Sequence, residues 1–184
     1  MSLDELALLI RRSLKRSKAV EIDGLGVFAR NRAGDISFQA RNPRIFIAYA
    51  AEDLSHAEEL FRALSARGFS AWLDRRKLLP GQNWPRSIEE AIASSDFFVA
   101  CFSRHSVRKR GGFQAEVRFA LDCARRVPLD DVFVIPVRLD DCHVPARIQK
   151  ETQYVDLFPD WHGGLQRVFH IIETQMGMLT SDSK

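Results

Sequence analysis

Residues 44–103 read RIFIAYAAEDLSHAEELFRALSARGFSAWLDRRKLLPGQNWPRSIEEAIASSDFFVACFS, a regular exchange of short apolar runs and longer amphipathic stretches. Arg44 to Tyr49 is apolar with little alternation, as expected of a strand buried on both faces. From about Asp53 to Arg67, Leu54, Ala57, Phe61 and Leu64 recur at helical spacing, and Gly68 supplies the stop. Ser70 to Leu73 predicts a second strand, and Asp74 to Asn83 a long connection. A helix follows with Ile88, Ala91 and Ile92 inward, Asn83 as its N-cap and Pro85 tolerated in its first turn. Phe97 to Phe102 predicts a third buried strand.

The rhythm continues toward the C-terminus. The basic loop Ser103 to Gly112 precedes a helix over about 113–125, and a strand follows at Val132 to Arg138. Leu139 to Gln149 reads as too short and proline-broken for a good helix. Tyr154 to Leu157 predicts a fifth strand, and roughly 163–176 a last helix carrying Leu165, Val168, Phe169 and Ile172. Five buried strands with intervening helices require an α/β architecture, a flavodoxin-like, doubly wound, five-stranded parallel sheet covered on both faces.

Upstream, residues 3–18 predict an amphipathic helix with Leu6, Leu9, Ile10 and Leu14 on one side and Arg11, Arg12, Lys15 and Arg16 mainly on the other. Two short strands follow, Ala19 to Ile22 and Val27 to Ala29, and residues 30–37 read as a polar, Gly-containing turn. Pro43 marks a hinge. The division expected is a small α+β appendage over 1–43, an α/β domain over 44–176, and a polar tail over 177–184.

Charge agrees with that seam. The net charge of +3 arises wholly from residues 1–43, with eight Lys/Arg against five Asp/Glu, because residues 44–184 hold nineteen of each. With 184 residues, 46% of them hydrophobic, the chain can bury about 70% of its unfolded surface without disulfides. Its longest apolar run, Ile45 to Ala51, is seven residues, against about 20 needed to span a membrane. Cys101, Cys123 and Cys142 are odd in number and lack metal-ligand spacing, so they read as reduced thiols. The N-terminus lacks the long apolar core of a signal peptide, and cytoplasmic residence is the expectation.

In an open parallel sheet, ligands bind beyond the carboxyl ends of the strands. Neither GxGxxG nor GxxxxGK[ST] occurs, and the five histidines are scattered, so a Rossmann dehydrogenase, a P-loop NTPase and a metal centre are not expected. The strand-end carboxylates are Asp53, Asp74 and Glu116. Glu116 falls in the first turn expected of its helix, where a carboxylate also serves to complement the macrodipole.

The quoted stretch resembles a TIR (Toll/interleukin-1 receptor) domain of the bacterial type. FIAYAAED is similar to the family's first-strand box, Asp74 to Trp84 with Leu79-Pro80-Gly81 to its BB loop, SxxFFVACFS to its third-strand box, and FQAEVRFAL to its αC segment. The resemblance covers residues 44 to about 175. It implies cleavage of the nicotinamide–ribose bond of NAD+, giving nicotinamide and ADP-ribose or a cyclic isomer. Glu116 stands at the position of the family's essential Glu. NAD+ enters as substrate, with no resident cofactor and no metal. By the same resemblance, Tyr49, Ala50, Asp74, Lys77, Trp84 and Phe113 are substrate-site candidates. Tyr49 also reads as a buried strand-end Tyr, Asp74 and Lys77 as a solvated loop, and Trp84 as a helix anchor. Arg104, Arg108, Lys109 and Arg110 face either a pyrophosphate or plain solvent.

The family often carries an aromatic residue, commonly Trp, four positions before that Glu. Here the position is Gly112, with Phe113 next to it. Self-association through TIR–TIR contacts, including the BB loop Asp74 to Asn83, is implied as the activating step. The alternative is a non-catalytic TIR scaffold acting through the same contacts. Residues 1–43, with VEIDGLGVF and the closing Arg-Asn-Pro, resemble an abbreviated HU/IHF-type module. There is no room for that family's long DNA-wrapping arm. A docking or assembly role is therefore expected, with no DNA partner and no membrane.

Overall fold

A computed structural model of the chain describes residues 3–22, 26–31, 34–73 and 84–177. It divides into two compact units, Met1–Asn42 and Pro43–Lys184.

The second unit is a five-stranded, all-parallel sheet of order β5-β4-β6-β7-β8, the flavodoxin-like order. Its strands are β4 (Arg44–Ala48), β5 (Ser70–Leu73), β6 (Phe97–Phe102), β7 (Val134–Arg138) and β8 (Val155–Asp156). The helices are α2 (Leu54–Ala66), α3 (Trp84–Ala93), α4 (Gly112–Ala124), α5 (Ala146–Glu151) and α6 (Trp161–Gln175). Alternate strand residues feed two separate cores. Ile45, Ile47, Val99, Cys101, Ile135 and Val137 meet α2 and α6 on one face. Phe46, Ala48, Phe98, Ala100, Phe102 and Val134 meet α3 and α4 on the other. Phe46, Phe97, Phe98 and Phe102 are fully buried, each contributing about 1.5–3 kcal/mol relative to exposure.

Several local expectations need correction. The buried stripe of α2 is Ala57, Leu60 and Leu64, with Leu54 exposed and Phe61 half-buried. Residues 146–151 do form a helix: Pro145 stands just outside its first turn, where its missing N–H costs nothing. α6 begins at Trp161 rather than 163, because Asp160 caps it by accepting the Gly163 N–H at 2.9 Å. Gly164 is required there, since a Cβ would lie 2.4 Å from the Asp156 carbonyl oxygen. Gly68 does terminate α2, at φ +90°.

The first unit holds α1 (Leu3–Ser13) and an antiparallel sheet of β1 (Ala19–Ile22), β2 (Gly26–Arg30) and β3 (Ile36–Ala40). β3 replaces part of the expected turn. It pairs in register with β2, placing Phe38 opposite Phe28 with ring centroids 4.6 Å apart. α1 ends five residues earlier than expected, and Leu9 faces solvent rather than joining Ile10 and Leu14 in the interior.

Candidate functional site

Parallel strands bring their carboxyl ends to one edge, so the β4–α2 junction and the β6–α4 loop meet there. Between them lies a cavity of about 120 Å³ lined by Tyr49, Ala50 and Ala51 on one side and by Lys109 to Phe113 and Glu116 on the other. A second cavity of about 220 Å³ opens between α3 and α4, lined by Pro85, Ile88, Glu89, Ile92, Gly112, Ala115, Glu116 and Phe119. Glu116 and Gly112 belong to both walls. One carboxylate therefore faces a polar cleft on one side and an apolar cleft on the other.

Glu116 is not a first-turn residue. α4 begins at Gly112 with Gly111 as N-cap, so Glu116 is its fifth residue and lies beyond the reach of the helix N-terminal charge. Its side chain is only 9% exposed. Macrodipole complementation thus does not account for it. A carboxylate at an inward position beside Phe113, Val117 and Ala120 carries a desolvation cost that a solvated surface Glu avoids.

Gly112 stands directly against this carboxylate. A Cβ built on it would meet only Glu116 Oε1, at 3.5 Å, an ordinary van der Waals contact. Phe113 lines the polar cleft, yet its ring packs edge-on against Phe102 at 5.5 Å and is part of the core. The glycine preceding the helix, Gly111, sits at φ +141°, which lets the chain turn sharply from Arg110 into α4.

The two walls are tied together by buried polar groups. Ser103 Oγ donates to Asp53 Oδ2, and its oxygen accepts the N–H groups of His105 and Ser106 at 3.1 Å each. Ser106 Oγ in turn accepts the Ser103 N–H at 2.8 Å. At the surface, Lys109 donates to Glu52 and holds that carboxyl below its ordinary value. The Arg104 N–H donates to Asp140, drawing the same loop toward the β7 end. Asp53 was legible as a strand-end carboxylate and Ser103 closes the third-strand box SxxFFVACFS, but Ser106 carries no motif; only its place three residues after that box could have marked it.

Of the candidate residues, the structure gathers Glu116, Tyr49, Ala50 and Phe113 around one cavity. Trp84 heads α3. Asp74 and Lys77, with the connection 74–83, lie outside the described residues. The thiols are muted: burial pushes Cys101 up, with the Asp53 charge adding to it, and burial takes Cys142 up to about 11. No described helix is long and apolar enough to cross a membrane.

A family model described as TIR domain matches residues 45–169. The match begins beyond the first unit, so the HU-like resemblance of residues 1–43 gains no support from it. An uncharacterized protein, y4cD of Sinorhizobium fredii, is 27% identical over 112 residues, 61% of this chain and 17% of its own length. The NAD(+) hydrolase PdTIR of Paracoccus denitrificans is 38% identical over 66 residues, 35% of this chain and 22% of its own. The alignments therefore span about a fifth of these relatives. Among solved structures, the TIR domain of the Toll-related receptor TRR-2 from Hydra magnipapillata aligns with TM-score 0.57 at 18% identity, over 72% of this chain and 97% of that one.

Proposed function

The chain belongs to the TIR domain family through residues 45–169, and on that premise we propose that it is a nucleosidase cleaving the nicotinamide–ribose bond of NAD+. The observation that carries the reading is Glu116, a buried carboxylate on the shared wall of a polar and an apolar cleft. The similarity of a 66-residue segment to a protein named as an NAD(+) hydrolase points the same way.

The chemistry follows from charge. The nicotinamide of NAD+ is a cationic leaving group that departs neutral, taking the electron pair of the C–N bond and leaving an oxocarbenium-like ribose. Glu116 stabilises that positive charge and accepts from the ribose hydroxyls, as carboxylates do in glycoside cleavage. A water then adds to the anomeric carbon and loses its proton, giving ADP-ribose; attack by an adenine nitrogen gives a cyclic isomer instead. Lys109 and Arg110, on the polar wall, offer cations to the pyrophosphate, while Tyr49 and Ala50 form the opposite wall. Asp74, Lys77 and Trp84 complete the pocket in this reading. Self-association through residues 74–83 serves as its switch, and the setting is cytoplasmic signalling by consumption of NAD+.

A second reading, a non-catalytic scaffold working through TIR–TIR contacts, is favoured by one observation: Gly112 offers no aromatic surface beside Glu116. Incubating concentrated protein with NAD+ and following nicotinamide release decides between them. Activity that disappears in Glu116→Gln supports the nucleosidase. Absence of release at all protein concentrations and under crowding supports the scaffold. Equal activity in the variant removes Glu116 from the reaction.

A further inference from the structure

We propose that Glu52 is an internal competitor for the ligand's pyrophosphate: it holds the Lys109 ammonium across the polar cleft until the pyrophosphate takes it. The turn Ala51–Asp53 is tied to the β6–α4 loop twice. Asp53 points inward and accepts from Ser103, where both side chains are buried. Glu52, one residue earlier, points outward and accepts from Lys109, with the Lys109 and Glu52 side chains 54% and 40% exposed. The buried bond fixes the two walls. The exposed pair is an exchangeable strap between them.

Lys109 and Ala51 line opposite walls of the cleft, and Glu52 directly follows Ala51, so the ion pair spans the gap. With the strap closed the cleft holds about 120 Å³, against roughly 300–1,000 Å³ for sites that bury a small-molecule ligand. Opening the pair therefore does two things at once: it frees a cation and lets the walls part. Arg110, the next residue on the Lys109 wall, makes no ion pair among the described residues. It is the cation that an arriving pyrophosphate meets first, and Lys109 is the one it must win. The exchange replaces a carboxylate oxygen on the ammonium by a phosphate oxygen, a charge-assisted bond of the same kind, while the half-solvated Glu52 turns to water. An exposed pair is worth at most about fivefold in an equilibrium, so a phosphate can displace it. The Lys109 hydrogen bond holds the Glu52 carboxyl below its ordinary value, so the strap is charged at neutral pH. The pyrophosphate is that of the NAD+ reading above, on which the strap depends for its ligand; the strap itself is read by binding, without turnover.

The test is a double-mutant cycle on the full chain at low ionic strength, read by calorimetric titration with ADP-ribose, which carries the pyrophosphate and lacks the reacting bond. Glu52→Gln is expected to tighten ADP-ribose binding about threefold. In a Lys109→Gln background the same substitution is expected to leave affinity unchanged, because no ammonium remains to be released. Both side chains are exposed, and far-ultraviolet circular dichroism checks that the four chains fold alike. Equal tightening in both backgrounds would make Glu52 a general repulsive charge and overturn the strap. So would an unchanged affinity in Glu52→Gln alone, or no ADP-ribose binding by any of the four chains. Nicotinamide release from NAD+ without this coupling removes the strap and leaves the nucleosidase standing. Coupling without release does the reverse.

Discussion

Ser103 Oγ donates a 2.5 Å hydrogen bond to Asp53 Oδ2, and the two side chains are 1% and 4% exposed. The bond joins the end of β6 to the junction after β4, and so holds together the two walls of the cleft at Glu116. Ser103→Ala leaves a buried carboxylate short of a donor, at a cost of about 1–3 kcal/mol. Urea unfolding should show that loss, and Ser103→Thr, which keeps the hydroxyl, should recover much of it. An unchanged midpoint in Ser103→Ala would assign the bond no structural role.

Glu116→Gln keeps the volume of the side chain and removes its charge. Nicotinamide release should fall by at least about a hundredfold in kcat, with KM little altered, because the lost interaction forms with the developing ribose cation. A variant as active as wild type would refute the assignment.

Gly112 provides a gain-of-function test. Gly112 lines both clefts, and a new Cβ there meets Glu116 Oε1 at ordinary contact distance, so the backbone admits a side chain in Gly112→Trp. It should lower KM for NAD+ severalfold by giving a flat ring a partner beside the carboxylate. Gly111→Ala should do the opposite, because its φ of +141° strains any L side chain; loss of about 1 kcal/mol or more in unfolding is expected. Loss of fold in Gly112→Trp would show that the cleft has no room there.

At the far side of the sheet, Arg138 lies over Tyr154 and Phe158 and grips Asp156, with Nη2 donating to Oδ2 at 2.9 Å. The Arg138 hydrogen bond holds the Asp156 carboxyl below its ordinary value, against the opposing effect of burial. A lowered carboxyl contributes stability above its unfolded value and loses it as pH falls through the folded one. Asp156→Asn should therefore cost about 1–3 kcal/mol at neutral pH. The gap to wild type should stay constant above about pH 4 and narrow below it. A gap independent of pH down to acid unfolding would contradict the linkage.

How far the sequence could be read depended on what each residue type can announce. Apolar runs such as Phe97 to Phe102 reveal a strand buried on both faces wherever they occur, and all five parallel strands were found. β3 was hidden because Asn31, Gly34 and Asp35 dominate their window, while its alternation of Ile36, Phe38 and Ala40 acquires meaning only against β2. The outward Leu9 and Leu54 differ from expectation for a related reason: helical spacing tells which residues share a face, not which face the fold will cover. Pro145 reads in sequence as a breaker, yet it stands just before a helix, where a proline costs nothing.

By itself, the sequence determined the order of the five parallel strands and of the helices between them other than α5, and the family boxes with Glu116 among them. These are local patterns, decided by side chains a few residues apart. Tertiary structure alone decided that Glu116 is buried between two clefts and that Asp53 and Ser103 clasp across the strand ends. Each joins residues that only the sheet and its crossovers bring within a few ångströms, and burial, which gives a carboxylate its chemistry, is a property of that assembly.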